Sequence, residues 1–202
     1  MIKNVIFDCG QVLVHFEPEY MVAPYVQDEA DKKVLKEVVF DRLYWDRLDA
    51  GDMSDEEFCE AIKTRLDKRL WATAEKIYYD WIYNIPEIDG MRELITLIRE
   101  RYGASIFVLS NISKYFARHK SEIPILSLVD KCICSSECGM QKPDPRIYEY
   151  LCQECNIRAE ESVFVDDRAE NVESAKSIGM QGFVFSKNIA ELKDYLTAIL
   201  EE

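Results

Sequence analysis

Five short apolar runs recur along the chain, and segments with helical periodicity separate most of them. Runs this short and this apolar are typical of strands that are buried on both faces of a parallel sheet. Strands that alternate with helices predict an α/β fold with a doubly wound parallel sheet. The runs lie at residues 2–7, 105–109, 131–134, 162–165 and 182–185.

Local signals mark the helices between these runs. Asp144 and Pro145 have the residue types of an N-cap and of a first helical position, so we expect a helix from there to about Asn156. A second helical pattern covers residues 169–178 and ends at Gly179, a residue type that favours the position after a helix. Both signals support the alternation of strands and helices.

Residues 15–85 interrupt this alternation with helical patterns and no convincing strand. Ser54 and Glu57 have the spacing of a capping box at the start of one of these helices. We therefore predict a small helical insert at 15–85, placed within a core that combines residues 1–14 and 86–202.

Composition and charge exclude several classes of protein. The chain of 202 residues carries a net charge of −13, and 48% of its residues are hydrophobic, which is typical of a folded globular protein. Nonspecific binding to nucleic acid or to anionic membranes needs a basic surface, so we expect neither partner. No apolar run reaches the length of a membrane span, and the first residues lead straight into a predicted strand. We therefore expect neither a transmembrane helix nor a signal peptide.

Seven cysteines, an odd number, are typical of reduced thiols in a cytoplasmic protein. Cys152 and Cys155 have the spacing of a zinc-binding pair. However, they lie in a helical pattern, and no second such pair or nearby histidine completes a zinc site. We interpret them, together with Cys132, Cys134 and Cys138, as structural cysteines that are buried or half-buried.

Polar residues follow three of the apolar runs, where the strands are expected to end. Ligands of open α/β sheets bind beyond the carboxyl ends of the strands. Each polar residue alone could cap a helix or face solvent, but their joint placement predicts one site at a single edge of the sheet. These residues are Asp8 after the first run, Ser110 and Asn111 after the second, and Asp166 and Asp167 after the fourth.

Three carboxylates at one site repel each other, and a hard divalent cation with oxygen ligands would offset that repulsion. Lys142 adds a fixed positive charge. It precedes Pro143 and stands just before a predicted helix N-terminus, which favours anions. Carboxylates, a divalent cation and a lysine suit phosphoryl transfer, where catalysis depends on positioning and on neutralising charge.

Four segments resemble, in order and spacing, the four motifs of haloacid dehalogenase-like hydrolases. The resemblance covers residues 1–14 and about 86–185. Within this superfamily the chain most resembles bacterial glucose-1-phosphate phosphatases and the phosphatase domain of soluble epoxide hydrolases. The resemblance implies that the insert at 15–85 is the small helical cap of that family. The segments are Phe7-Asp8-Cys9-Gly10-Gln11-Val12-Leu13, Val108-Leu109-Ser110-Asn111, Lys142-Pro143 and Phe164-Val165-Asp166-Asp167.

The resemblance implies catalytic roles for four residues. Asp8 would attack phosphorus and carry the phosphoryl group as an aspartyl-phosphate. Ser110 and the backbone of Asn111 would hold the phosphoryl oxygens. Lys142 would bridge Asp8 and the phosphate.

The same resemblance implies Mg²⁺ as the cofactor. Asp8, Asp167 and the backbone carbonyl of Gly10 would bind the ion, and Asp166 would support those ligands.

One position departs from the pattern of the family. Most of its phosphatases carry a second aspartate two residues after the nucleophile, which acts as general acid and base. Here that residue is Gly10. Gln11 has no proton to lend, and His15 is the candidate substitute, although a single histidine after a strand is more often structural. Without a general acid, the reaction should depend on how readily the leaving group departs, which favours sugar 1-phosphates over alkyl phosphates.

The leading prediction is a magnesium-dependent phosphoric monoester hydrolase for a small phosphometabolite, with a sugar 1-phosphate as one candidate. Two alternatives stay open: a carbon–halogen hydrolase that uses Asp8, and a binding protein whose site has decayed at Gly10. The acid pair Asp166-Asp167 speaks against the first, and the intact Asp8 and Lys142 speak against the second. We expect a small-molecule partner and a monomer or homodimer.

Overall fold

The computed structural model describes residues 1–201, which contain one parallel β-sheet of five strands. The strands are β1 (Asn4–Phe7), β2 (Ser105–Ser110), β3 (Lys131–Cys134), β4 (Ser162–Asp166) and β5 (Gln181–Val184). Their order is β3-β2-β1-β4-β5, so β1 is central and pairs with β2 and β4. Each predicted apolar run overlaps one of these strands, with bounds that differ by at most two residues, and the predicted doubly wound α/β fold is confirmed.

Eleven α-helices are described within residues 1–201. None of them combines the length and the apolar composition that a membrane span requires. The helices are α1 (Pro18–Val22), α2 (Glu29–Val39), α3 (Arg42–Ala50), α4 (Asp55–Lys63), α5 (Trp71–Asp80), α6 (Met91–Tyr102), α7 (Lys114–His119), α8 (Ser135–Cys138), α9 (Pro145–Cys155), α10 (Ala169–Ser177) and α11 (Ile189–Glu201).

Both faces of the sheet are buried, which explains why its strands are apolar at nearly every position. In β1, Val5 and Phe7 pack into the apolar cluster on one face, whereas Ile6 packs into the cluster on the other. Tyr148 and Leu151 of α9 belong to the same cluster as Ile6. Successive side chains of a strand point to opposite faces, so a strand covered on both sides shows no polar alternation.

Helix ends follow the predicted signals closely. The Asp144 side chain accepts a hydrogen bond from Arg146 N at 2.9 Å at the start of α9. At α4, Ser54 Oγ accepts from Glu57 N at 3.1 Å and Ser54 N donates to Glu57 Oε2 at 2.8 Å, which is the predicted capping box. Gly179 follows α10 with a φ of 97°, a conformation that favours glycine.

All regular structure between β1 and α6 is helical, and it packs directly on the sheet domain. One continuous apolar cluster joins residues of β1 to Trp45, Phe58 and Trp81 of this segment. The ring of Trp81 stacks on Phe116 of α7 with centroids 5.8 Å apart. We keep the predicted division into a core (1–14 and 86–202) and a cap (15–85) as a proposal.

Candidate active site

The carboxyl ends of β1, β2 and β4 bring the predicted site residues together. Asp8 follows β1, Ser110 ends β2 and Asp166 ends β4, and all three are buried. Lys142 reaches them from the loop before α9. Its Nζ lies 2.8 Å from Asp8 Oδ1 and 2.7 Å from Asp166 Oδ2. The lysine therefore bridges two carboxylates that come from neighbouring strands.

Burial governs the charges in this group. The pKa of the Asp8 carboxyl is raised to about 6, chiefly by burial, with Lys142 opposing the rise and Asp166 adding to it. Burial lowers the pKa of Lys142, but Asp8 and Asp166 outweigh this and raise it above its usual value. Lys142 is thus a permanent cation at neutral pH, whereas Asp8 ionises less readily than an ordinary aspartate.

Asp166 is fully occupied by contacts within the protein. Besides Lys142, the Nδ2 of Asn171 lies 3.0 Å from each of its carboxylate oxygens, and Arg168 N donates to Oδ1 at 2.8 Å. Asn171 is itself buried at the start of α10, although its sequence position was equally compatible with an exposed helix residue. Asp166 is therefore held rigidly, with its oxygens already satisfied.

Asp167 differs from Asp166 in its burial and in its ion pairing. It is half-buried, and within residues 1–201 no lysine or arginine forms an ion pair with it. Burial, with a further contribution from Asp166, raises the pKa of its carboxyl. Ligand atoms of Asp8, Asp166 and Asp167 all lie within 4.8 Å of one another. One buried lysine facing three carboxylates leaves negative charge uncompensated, so this donor set fits a hard divalent cation.

Asn111 has a role that its sequence position did not reveal. The expected contribution was its backbone, but its side chain bonds Lys142: Nδ2 donates to the carbonyl oxygen and Oδ1 accepts from the backbone N, each at 2.8 Å. Asn111 thereby fixes the backbone from which the bridging lysine projects.

The turn after Asp8 is tight, and the side-chain amide of Gln11 is engaged with the backbone there. Gln11 adopts a φ of 60°, and its Nε2 donates to the carbonyl oxygen of Phe16 at 2.8 Å. Gly10 lies in this turn beside Phe16: a Cβ added to Gly10 would lie 3.3 Å from the Phe16 Cβ. A larger residue at Gly10 would therefore require Phe16 to shift by a few tenths of an ångström.

A pocket of about 140 Å³ opens above Asp8 and is closed by the helical segment. Its core side is formed by Asp8, Gly10, Ser110, Asn111 and Lys142, so five of the predicted site residues share one cavity. Its opposite wall is largely aromatic. The wall residues are Phe16, Arg42, Trp45, Asp49, Trp81, Ile85 and Phe116.

His15 and the cysteine pair at 152 and 155 lie outside this pocket. His15 is not among the pocket residues; its backbone N donates to Pro86 O at 2.8 Å and its ring packs against Tyr20. The expectation that Cys152 and Cys155 are structural agrees with their positions on α9, where both are half-buried free thiols. Within the described residues, the carboxylate cluster at Asp8 is the group with metal-binding geometry.

Asp49, near the end of α3, is a site residue that sequence reasoning missed. It lines the pocket, it is only 4% exposed, and its Oδ1 finds no hydrogen-bond partner within residues 1–201. Burial raises the pKa of its carboxyl well above the ordinary value. Periodicity marks position 49 as one of many acidic residues on a helix, so its burial became visible only in the packed structure.

Known proteins share sequence similarity or the fold with this chain. D-ribitol-5-phosphate phosphatase of Bacteroides thetaiotaomicron is 26% identical over 208 residues, covering 99% of each chain. The sesquiterpene phosphatase astK of Aspergillus oryzae is 24% identical, covering 93% of this chain and 92% of its own. A haloacid dehalogenase family enzyme of B. thetaiotaomicron, solved with magnesium and inorganic phosphate, superposes with a TM-score of 0.70 at 18% identity. That comparison covers 95% of this chain and 99% of the enzyme.

The sequence also matches the haloacid dehalogenase-like hydrolase family over residues 2–179. This match includes all four motif segments and the helices between them. The expected family and its hydrolase chemistry are confirmed: this chain belongs to the haloacid dehalogenase-like hydrolases.

Proposed function

We propose that this hydrolase is a magnesium-dependent phosphatase of small phosphate esters, with Asp8 as its nucleophile. The observation that carries the proposal is the Asp8 carboxylate, which lines a pocket and lies 2.8 Å from the ammonium of Lys142. Similarity to two phosphatases along nearly the whole chain supports this reaction over other chemistry of the family.

The residues around Asp8 suit a phosphoryl group. An oxygen of Asp8 would attack phosphorus while the ester oxygen departs, which leaves an aspartyl-phosphate that water then hydrolyses. Ser110 and the backbone N–H of Asn111 would donate hydrogen bonds to the phosphoryl oxygens from the end of β2. Lys142 would lie between Asp8 and the phosphate and neutralise charge there.

The donor set fits Mg²⁺, which prefers carboxylate and carbonyl oxygens. Asp8, Asp167 and the carbonyl of Gly10 would bind the ion, and Asp166 would orient this group through its contacts with Lys142 and Asn171. Magnesium would offset the charge of the carboxylates and of the phosphoryl group. Burial raises the pKa values of Asp8 and Asp167, so a bound cation would favour the ionised form of both carboxyls.

The pocket favours a small leaving group. Its volume of about 140 Å³ lies below the roughly 300–1,000 Å³ of pockets that enclose drug-sized ligands. A sugar or polyol phosphate fits such a space better than a terpenoid phosphate does. Aromatic walls such as Trp45 and Trp81 would pack against the apolar face of a sugar. A sugar 1-phosphate remains one candidate within this class.

The proposal also covers the cellular compartment, the partner and the oligomeric state of the enzyme. All seven cysteines are free thiols, which suits a reducing compartment such as the cytoplasm. Its partner would be the small-molecule substrate, and a monomer or homodimer would suffice because one chain supplies the whole pocket.

The decisive experiment measures phosphate release from a panel of phosphate esters with magnesium and with EDTA. Wild-type protein should release phosphate only with magnesium, and Asp8→Asn should be inactive because an amide does not attack phosphorus. Asp55→Asn is the matched control: Asp55 is another buried carboxylate, but it bonds Tyr78 and Arg118 away from the pocket. This control should keep its activity.

The two alternatives give different results in the same assay. A carbon–halogen hydrolase would release halide from 2-haloacids in EDTA and leave the phosphate esters intact. A decayed site would release neither product. Turnover by Asp8→Asn at a rate near that of wild type would contradict the role of Asp8 outright.

A further inference from the structure

Hydrolysis of an unactivated phosphate ester needs a proton for the departing oxygen, and the usual donor is absent at Gly10. Gln11 is an amide that bonds the Phe16 carbonyl, so it offers no acid proton. His15 does not line the pocket. If the protein is the phosphatase proposed above, another group must supply this proton or the enzyme is confined to good leaving groups.

Asp49 is the remaining acid in the pocket. It lies on α3 of the helical segment and lines the same pocket as Asp8. Its Oδ1 has no hydrogen-bond partner within the described chain, although the residue is only 4% exposed. An unpartnered buried polar atom destabilises a fold. A carboxyl kept for the fold alone would be expected to have partners, as the buried Asp55 has in Tyr78 and Arg118.

The backbone at Asp49 is fixed to the catalytic side of the core. Ser135 Oγ donates to the carbonyl oxygen of Asp49 at 2.6 Å and accepts from Ile112 N at 2.9 Å. Ile112 follows directly after the Ser110-Asn111 segment. One buried hydroxyl thus ties the end of α3 to the loop that holds the phosphoryl group.

Two further contacts hold the same end of α3. Lys114 Nζ donates to Gly51 O at 3.0 Å, and Gln141 Nε2 donates to Asp46 O at 3.2 Å. Gln141 immediately precedes Lys142. The position of Asp49 relative to the bridging lysine is therefore set by short links, as a proton donor requires.

Burial and the charged groups around Asp49 favour its protonated form. Burial is the main cause of its raised pKa, and Asp46 and Asp8 add to the rise. Arg42 and Lys142 oppose it, but each is engaged with another carboxylate: Arg42 lies 2.5 Å from Asp46, and Lys142 bonds Asp8. A neutral carboxylic acid that retains its proton is the form that a general acid needs.

We propose that Asp49 is the general acid and base of this phosphatase and takes the place of the aspartate missing at Gly10. In the first step Asp8 bonds phosphorus, the bond to the ester oxygen breaks, and the Asp49 carboxyl gives its proton to that oxygen. In the second step water attacks phosphorus and the bond to Asp8 breaks. The Asp49 carboxylate accepts the proton of that water, so both aspartates return to their starting forms.

The test compares rates across leaving groups in the full-length protein with magnesium. Aryl phosphates with acidic phenols leave without help, whereas alkyl phosphates need a proton. Asp49→Asn should therefore lower kcat/KM for alkyl phosphates by about 10²–10⁴-fold and change it little for the most acidic phenols. A plot of log(kcat/KM) against leaving-group pKa should become steeper.

Two further measurements separate proton transfer from packing. In wild type, kcat/KM for alkyl phosphates should fall as pH rises through the pKa of Asp49, and this fall should be absent in Asp49→Asn. Gly10→Asp in the Asp49→Asn background should restore part of the lost rate, because it returns an acid to the position that the family uses. Asp49→Ser serves as a second variant, and thermal unfolding verifies that each variant is folded.

Each outcome decides between the two proposals. An equal loss for all leaving groups, or an unchanged slope in both Asp49 variants, overturns the role of Asp49 while the phosphatase stands. Phosphate release from aryl but not alkyl esters by wild type also overturns it, since no acid would then be acting. No phosphate release from any ester would instead overturn the proposed function, and the role of Asp49 with it.

Discussion

The side-chain amide of Asn111 bonds both backbone polar groups of Lys142, with Nδ2 to the carbonyl oxygen and Oδ1 to the amide nitrogen at 2.8 Å each. An amide has one donor group and one acceptor, and this pairing uses both. The lysine side chain in turn bridges Asp8 and Asp166. Asn111 therefore links the end of β2 to the backbone of the lysine whose ammonium bridges the two carboxylates.

Asn111→Asp should disrupt this link, because a carboxylate has no N–H for the Lys142 carbonyl and would repel it. We expect a loss of roughly 1–3 kcal/mol in the free energy of unfolding. We also expect a fall of about 10²-fold in kcat, as for other small misplacements of catalytic groups. Steady-state kinetics and urea unfolding measure both.

Asn4→Asp is the matched control for this change. Asn4 is buried at the far end of β1, and its Nδ2 donates to Ser162 Oγ at 3.1 Å. Loss of this hydrogen bond should lower the free energy of unfolding by a similar amount and leave kcat unchanged. Wild-type kcat in Asn111→Asp would show that Lys142 needs no such support.

The strands and the core side of the site were predictable from the sequence for a physical reason. A strand buried on both faces must be apolar throughout, so its end is visible where Asp8, Ser110 or Asp166 appears. Parallel strands place these ends at one edge of the sheet. Lys142 was a candidate because of its charge and its place before a predicted helix, but its bridging role came from the resemblance, because no periodicity brings a loop residue to a strand end.

The cap side of the pocket could not be predicted in the same way. Asp49 lies on an amphipathic helix among acidic neighbours, and its burial depends on how α3 docks on the core through Ser135 and Gln141. His15 was a candidate proton donor because of its side-chain chemistry, with a structural role favoured, and its ring packs against Tyr20 rather than lining the pocket. Such placements follow from tertiary contacts that join residues far apart in sequence.

The two neighbouring acids of the fourth motif should respond differently to substitution. Asp167 forms no ion pair in the described chain and is free for a metal, so Asp167→Asn should raise the magnesium concentration needed for half-maximal activity. Asp166 bonds Lys142 and Asn171, so Asp166→Asn should mainly lower the melting temperature. Magnesium titrations of activity and thermal unfolding distinguish these effects. Equal magnesium requirements for Asp167→Asn and wild type would contradict the assignment.

Phe16 should limit the size of the substrate. Its ring lines the pocket and packs edge-on against Trp45 at 5.3 Å. Phe16→Ala should enlarge the cavity and raise kcat/KM for bulky phosphate esters relative to small ones. Phe40→Ala is the control, because Phe40 stacks on the same Trp45 at 5.5 Å without lining the pocket. A competition assay with two esters of different size measures the ratio, which should change in the first variant alone.

The ionisation of Asp8 should make the stability of the metal-free protein depend on pH. The pKa of Asp8 is about 6 in the folded state, above the 3.8 of an ordinary aspartate, so folding favours its protonated form. This contribution to stability is fully present below pH 3.8 and is lost as pH rises through 6. At pH 8 the ionised Asp8 should therefore destabilise the fold. A shift of this size corresponds to roughly 3 kcal/mol as an upper bound.

Asp8→Asn should thus be more stable than wild type at pH 8 in EDTA, and the difference should shrink towards pH 4. Lys142 keeps Asp166 at 2.7 Å in this variant, so no buried cation loses its last partner. Magnesium should reduce the difference, because it stabilises the ionised Asp8 of wild type. Asp55→Asn should instead lose stability, since its ion pair with Arg118 is removed. Thermal unfolding across this pH range measures all three proteins, and a less stable Asp8→Asn at pH 8 would mean that Lys142 fully compensates the Asp8 charge.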